Sequence, residues 1–189
     1  MGVATAELNF SWLTPQLAVG GRYPMEAAAY LARSLGVRHV VDVRVEDCDD
    51  EQVLRTHGIT LLHLPTQDMR ALQAAMIRDG VAWVRARLAE GHRVLIHCEH
   101  GIGRSALLAL CVLVDAGHGP LGALALAKRR RAVVSPSPEQ LEAFRAFCAD
   151  WRAAHAPAWQ VPSAEELAWI AYSHLREASP AHNEATEPS

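Results

Sequence analysis

The apolar positions of this chain fall into two kinds of run. Short β-branched stretches at Val37 to Val43, Ile59 to Leu64 and Arg93 to His97 have strand length and are largely apolar on both faces. Strands of that kind suit a sheet covered by helices on both sides. Between them the spacing turns helical. Met25 to Leu35 ends at Gly36, Asp50 to Thr56 stops at His57-Gly58, and a stretch from Arg70 to Glu90 carries Ile77, Val81, Val84 and Leu88 on one face before Gly91. Alternating strand and helix predicts an α/β domain with a central, mostly parallel sheet flanked by helices.

After the third long strand the pattern becomes helical throughout. Arg104 to Ala116 is apolar almost all round and is expected to lie buried against the sheet. Leu121 to Arg131 ends in Lys128-Arg129-Arg130-Arg131. The next helix opens at Ser137 with Pro138 at its first position and Gln140 three residues after the cap, and it places Leu141, Phe144, Cys148 and Trp151 on one face. Ala156-Pro157 interrupts the pattern before Ser163-Ala164-Glu165-Glu166 opens a last helix, expected to pack on the domain. The division expected is a catalytic unit over 1–156 followed by a C-terminal helix and a polar, disordered tail over 157–189.

Composition narrows the classes without choosing among them. Half of the 189 residues are apolar and 21% are charged, as in one ordinary globular domain. A formal charge of −3 gives no general attraction to nucleic acid or to an anionic bilayer, so anion binding must come from local geometry. No stretch reads as a secretory signal or a membrane span, and Ala6 stands where a myristoylation signal wants Ser or Thr. A cytoplasmic monomer without a membrane partner is the expectation. The cysteines, Cys48, Cys98, Cys111 and Cys148, show no Cys-x-x-Cys spacing for zinc, and the histidines are too scattered to suggest a metal site.

One segment overturns the default reading of a cysteine as a small buried hydrophobe. In VLIHCEHGIGRSALLAL a buried strand, a short loop with Gly101 and Gly103, and a long apolar helix follow one another directly. Inward-facing N–H groups of such a loop, with the helix N-terminus behind them, can surround a phosphate. Glu99, His100, Gly101, Ile102 and Gly103 would supply those groups. The same field favours the thiolate of Cys98 and makes it a nucleophile. Arg104 offers a fork of donors that holds two phosphoryl oxygens. Ser105 can hydrogen-bond the sulfur or help to cap the helix. His97 points to the opposite side of the strand from Cys98 and is expected to orient the loop.

His97 to Ser105 matches the pattern HCxxGxxR[S/T], and the chain resembles the protein tyrosine phosphatase superfamily, most closely its small dual-specificity branch. The resemblance covers roughly residues 8 to 150, with Leu17-Ala18-Val19-Gly20 similar to the family's entry strands and Val40-Val41-Asp42-Val43-Arg44 similar to its next strand. It implies a phosphatase loop between a central strand and a helix. It also implies hydrolysis of phosphomonoesters through a cysteinyl-phosphate, no cofactor and no metal, and a proton donor on a loop before the cysteine. Asp68, about 30 residues before Cys98 in Leu64-Pro65-Thr66-Gln67-Asp68, fits that donor, with a helix N-cap as its bland alternative and Asp47 and Asp79 as weaker candidates.

The remaining expectations are softer. Gln140 could position the hydrolytic water or simply complete a capping box. Arg70 and Arg131 could contact substrate, though exposed arginines are usually solvated surface. Cys48 could form a reversible disulfide with Cys98. A carboxylate at Glu99 repels a polyanionic lipid headgroup, which favours a phosphorylated protein or a small phosphate ester as substrate, with nucleic acid disfavoured. Open alternatives are a silent phosphate-binding module, a sulfur-transferring enzyme, and a phosphatase acting on a small non-protein ester or an RNA 5′-phosphate.

Overall fold

The computed structural model describes residues 8–177. Its sheet has five strands in the order β1-β2-β5-β3-β4. They are β1 (Phe10–Trp12), β2 (Leu17–Gly20), β3 (Val37–Arg44), β4 (Thr60–Thr66) and β5 (Arg93–His97). Only β1 runs antiparallel, on β2; the other pairings are parallel. The mostly parallel sheet expected from the apolar runs is present, and β5, which leads into the cysteine loop, is its central strand.

The helices are α1 (Ala28–Arg33), α2 (Glu51–Thr56), α3 (Ala74–Ala89), α4 (Arg104–Asp115), α5 (Pro120–Arg130), α6 (Pro138–His155), α7 (Ala164–Ala171) and α8 (Ser173–Glu177). They cover both faces unequally. The larger core packs Val41 and Val43 of β3 and Val94 and Ile96 of β5 under α3 and α4, and Cys98 belongs to that side. The smaller core packs Val40 and Leu95 under α1 and α2. Strict alternation along the pleat produces this division. Residues 106–114 of α4 are all buried, because the sheet lies on one side of that helix and α3, α5 and α6 lie around the rest. Helix α7 joins the same core through Leu167 and Ala171.

Boundaries shift where the chain has other uses for its ends. Residues 70–73, expected to begin a helix, are extended or looped, and α3 starts four residues later, at Ala74. There the side chains of α6 hold the incoming backbone: Gln140 Nε2 donates to the Arg70 carbonyl at 2.9 Å and Glu139 accepts from the Ala71 N–H at 3.1 Å. Met69, just before, has φ of 63°, a left-handed turn that no helix could absorb. The expected helix over 25–35 is a 3₁₀ turn at Met25–Ala27 followed by a short α1. At Ser137 the capping box forms as the sequence implies. The tail expected to be disordered lies, from residue 178 on, outside the described residues. Among the described residues no helix is long and apolar enough to cross a membrane.

At the amino end of the sheet, His39 of β3 bonds Thr60 and faces His92 with Nε2 and Nδ1 at 2.9 Å. Burial, together with the positive charges of His92 and Arg87, lowers the His39 pKa from 6.5 to about 4. The unfolded chain therefore takes up this proton first, so the neutral ring's contribution is complete above about pH 6.5 and is lost as pH falls toward 4. Urea denaturation across that window is expected to show a falling midpoint in the wild type and a shallower fall in His39→Gln. Identical slopes would remove His39 as the cause.

Candidate active site

The cysteine loop begins where β5 stops. Cys98 is 3% exposed, and its sulfur accepts the Gly101 N–H at 3.2 Å while lying 3.3 Å from the Ser105 hydroxyl. Helix α4 starts at Arg104 with Gly103 as its N-cap and no side-chain cap. Ser105 therefore sits inside the first turn and does not cap it; its hydroxyl is turned to the sulfur. Gly101 has φ of 68°, and a Cβ there would come within 2.4 Å of the Gly20 carbonyl carbon and 2.6 Å of Arg131 Nη2. Both the turn and the close approach require glycine.

Arg131 holds the loop from outside. It is 6% exposed, donates Nε to the Gly101 carbonyl at 2.7 Å, and donates Nη2 to the His100 carbonyl at 3.0 Å and to Asn9 at 2.7 Å. This corrects the expectation of a solvated arginine at the end of a basic run. With these carbonyls tied outward, the loop's N–H groups are left for the inner side.

Arg104 is 1% exposed, and its guanidinium is fixed by residues from two other loops. Glu46, between β3 and α2, takes both ends of the fork, Nη1 at 2.7 Å and Nη2 at 2.6 Å, while the Thr66 carbonyl takes the other Nη1 hydrogen at 2.8 Å. The hydrogen bonds from Arg104 hold the Glu46 carboxyl down at about 2. Arg104 Nε is buried with no hydrogen-bond partner among the described residues. One edge of the planar group is thus committed to Glu46, while on the other edge Nε is an unspent donor and Nη2 lies 3.4 Å from Asp68 Oδ1.

Asp68 lies beside this arrangement. Its Oδ1 is 3.4 Å from Arg104 Nη2 and accepts the Met69 N–H, and its side chain is 60% exposed. Helix α3 is capped at Gln73, so Asp68 does not serve as its N-cap. Of the other acids, Asp47 pairs with Arg44 and Asp79 sits on the exposed side of α3. Arg70 is exposed and pairs with Glu139.

On the opposite face of β5, His97 is fully buried. Its Nε2 lies 2.9 Å from Asp49 Oδ2 and its Nδ1 lies 3.3 Å from the Cys98 carbonyl. Asp49 also accepts Tyr23 Oη–H at 2.5 Å and Arg44 Nη2 at 2.9 Å, and Arg44 reaches Asp42 through Nε and Nη2. Burial raises the Asp49 carboxyl, but the bonds and charge of His97, with Tyr23 and Arg44, outweigh it and lower the pKa overall. Asp42, Asp49 and His97 have the make-up of a metal cluster. Their lone pairs are spent on Arg44, Tyr23 and backbone N–H groups, which does not fit a metal ion without expelling the guanidinium.

Glu99 pairs with Arg22 at 3.2 Å and with Arg44 at 3.5 Å. Its charge is matched, so the repulsion expected of a bare carboxylate in the loop is weaker than the sequence suggests. Gln140 is 2% exposed, accepts the Ser137 N–H through Oε1 and donates to the Arg70 carbonyl, and a Cβ at Gly103 would strike its Oε1 at 2.4 Å. The amide is committed to the cap and to the loop carrying Asp68. Cys48 is exposed, and burial of its thiol together with the nearby Asp42 and Asp49 charges raises its pKa.

Glu46, Asp49 and the role of Arg131 escape a reading of the sequence, since their partners lie far along the chain. One signal existed: Asp42 and Arg44 break the apolar run that begins at Val40, and buried charges demand partners.

Residues 7–149 match the family described as "Swiss Army Knife protein, DSP-PTPase phosphatase domain". Mouse dual specificity protein phosphatase 2 is 32% identical over 76 residues, 39% of this chain and 24% of that protein. Human protein tyrosine phosphatase type IVA 3 is 30% identical over 100 residues, 51% of this chain and 58% of that protein. The chain thus spans less than two thirds of the length of these curated relatives. Among solved structures, Tk-PTP in its active form superposes with a TM-score of 0.68 at 24% identity, over 74% of this chain and 95% of that one. PTPMT1 in complex with PI(5)P gives 0.72 at 22% identity, over 77% and 97%. These two likenesses are of fold. With the match over residues 7–149, they close the case opened by the loop: the chain belongs to the DSP-PTPase phosphatases, the dual-specificity members of the protein tyrosine phosphatase superfamily.

Proposed function

We propose that this protein hydrolyses phosphomonoesters, with phosphorylated side chains of proteins as its preferred substrates, through a cysteinyl-phosphate on Cys98. The observation that carries the reading is the unpartnered, buried Nε of Arg104 beside a thiol that already accepts a loop N–H. A phosphoryl group seated in the loop would satisfy that donor and the inner N–H groups together.

The Cys98 thiolate attacks phosphorus in line with the ester oxygen. The P–O bond breaks, and Asp68 gives its proton to the departing oxygen, which would otherwise leave as a poor alkoxide or phenoxide. Arg104 and the loop amides take the charge on the equatorial oxygens. Water then attacks the cysteinyl-phosphate while the Asp68 carboxylate accepts its proton. The S–P bond breaks, with the Ser105 hydroxyl, 3.3 Å from the sulfur, supporting the thiolate as it leaves. Phosphate departs and Cys98 is restored. Gln140, held by the cap, acts by fixing the segment behind Asp68.

Side chains on the loops of the site support a substrate with an apolar body. Val45, Met69, Ile102 and Val133 are exposed; Val45 and Met69 adjoin Glu46 and Asp68, Ile102 lies in the cysteine loop, and Val133 is two positions after Arg131. Val133 and Ile102 belong to adjoining segments, since Ser135 N–H bonds the Ile102 carbonyl. Arg22 and Arg70 are paired with Glu99 and Glu139, which leaves less free positive charge for a polyanionic headgroup.

Hydrolysis of an aryl phosphate is expected, with Cys98→Ser abolishing it; a folded wild type without turnover would leave only a phosphate-binding module. Asp68→Asn is expected to lower kcat by roughly 10²–10⁴-fold, most severely for substrates with poor leaving groups. An undiminished rate would remove Asp68 from the mechanism. Phosphotyrosine peptides with apolar flanks are expected to exceed a soluble inositol phosphate by at least about tenfold in kcat/KM, about 1.4 kcal/mol in transition-state binding. The opposite order would overturn the protein reading.

Glu46→Gln keeps the shape of the side chain but removes the charge that fixes Arg104. A charge-assisted hydrogen bond of about 1.5–3 kcal/mol translates into a fall in kcat/KM of roughly 10–100-fold. Steady-state kinetics on the aryl phosphate checks it, and wild-type values would show that Thr66 alone suffices to hold the guanidinium.

A further inference from the structure

The ring nitrogens of His97 both face acceptors. Nε2 is 2.9 Å from a carboxylate oxygen of Asp49, and Nδ1 is 3.3 Å from the carbonyl of Cys98. A neutral imidazole carries one N–H and can serve only one of them; an imidazolium serves both. Charge balance makes the same demand. Asp42 and Asp49 are buried against a single buried guanidinium, Arg44, with Tyr23 donating a neutral hydroxyl. Without a positive ring one negative charge would be left uncompensated in a shell from which water is largely excluded.

The groups around the ring come from every neighbouring element. Tyr23, in the loop after β2, packs edge-on at 5.0 Å between ring centroids. Asp42 is the strand partner of His97 on β3, with Oδ2 at 3.8 Å from Nε2. Arg44 ends β3, and Asp49 comes from the segment before α2. Beyond them Glu99 and Asp47 touch Arg44, and Arg22 touches Glu99. Among the described residues Asp49 is the only carboxylate within hydrogen-bond distance of the ring, and its oxygens serve His97, Tyr23 and Arg44 together.

We propose that Asp49 is a positioning residue of the active site: it keeps His97 as an imidazolium, whose other N–H holds the Cys98 carbonyl and whose charge stands directly behind the thiolate. The segment between β3 and α2 then grips the cysteine loop at both ends, Asp49 through His97 at its start and Glu46 through Arg104 at its end. A positive charge one residue from a thiol favours its ionised form, so Asp49 acts on the nucleophile without touching substrate. The inference rests on Cys98 being the nucleophile.

The experiment measures the rate at which Cys98 is alkylated by iodoacetamide as a function of pH, which needs no turnover. Asp49→Asn removes the charge and is expected to slow alkylation near pH 6 by about tenfold, with the deficit closing as pH rises and the thiol ionises regardless. Aryl phosphate hydrolysis by the same variant is expected to lose kcat by a similar factor with KM changed less than about twofold. Tyr23→Phe, which removes a neighbouring bond but keeps the carboxylate, is expected to retain the wild-type alkylation profile. A profile for Asp49→Asn equal to the wild type, or an equal loss in Tyr23→Phe, would overturn the proposal. Should Asp49→Asn not fold, ¹⁵N–¹H correlation spectra of the wild-type His97 ring decide it: two protonated nitrogens near neutral pH support it, and a single neutral tautomer overturns it. Alkylation that responds to Asp49 in a protein that hydrolyses no phosphoester would sink the phosphatase reading and leave this one standing.

Discussion

The pleat at the end of β5 sends two consecutive side chains to opposite sides of the sheet, and the arrangement of the site follows from that constraint. Cys98 points to the α4 side, where the loop amides and the helix N-terminus create a positive field. His97 points to the α1 side and meets charged groups that terminate β3 and precede α2. Anion binding and charge compensation are thereby kept on separate faces. The thiol takes the Gly101 N–H at 3.2 Å and has the Ser105 hydroxyl at 3.3 Å. The imidazole can be enclosed by carboxylates without bringing those carboxylates into the phosphate seat.

Holding an arginine rigid is the second half of the design. A guanidinium free to rotate would lose entropy each time a phosphate bound. Here Glu46 and the Thr66 carbonyl occupy three of its hydrogens, and the plane is set by the protein's own contacts. Burying that group costs desolvation, offset by the bidentate carboxylate at 2.6 and 2.7 Å, and the depressed pKa of Glu46 is the thermodynamic image of the same contact. The same logic applies to Arg131, whose contacts are mostly carbonyls. It stiffens the loop from behind and adds no competing anion.

Much of this was legible in the order of residues. A short-range pattern carries the strand, loop and helix around Cys98, because each of those elements depends on neighbours in sequence. The alternation that separates His97 from Cys98 is likewise local. Glu46 was not legible: its partner Arg104 is 58 positions away, and in Glu46-Asp47-Cys48-Asp49-Asp50 it looks like any exposed acidic stretch. Arg131 was hidden for the opposite reason, as the last of a basic run in which Arg129 and Arg130 are exposed. The start of α3 was misplaced because helical periodicity continues through residues 70–73, while tertiary bonds from Glu139 and Gln140 decide that the chain there stays extended.

That acidic stretch poses an electrostatic question for any phosphatase, since four carboxylates within five positions beside a phosphate seat would repel substrate if they stood free. None does. Glu46 is matched by Arg104, Asp47 and Asp49 by Arg44, with His97 adding to Asp49, and Asp50 spends its charge on the N–H groups of Gln52 and Val53 at the start of α2. Three of these four charges meet a positive partner within hydrogen-bonding or ion-pair distance, and the fourth, Asp50, is held by backbone N–H groups. The acidic segment therefore works as a brace that ties Arg104, Arg44, His97 and the start of α2 to one stretch of chain.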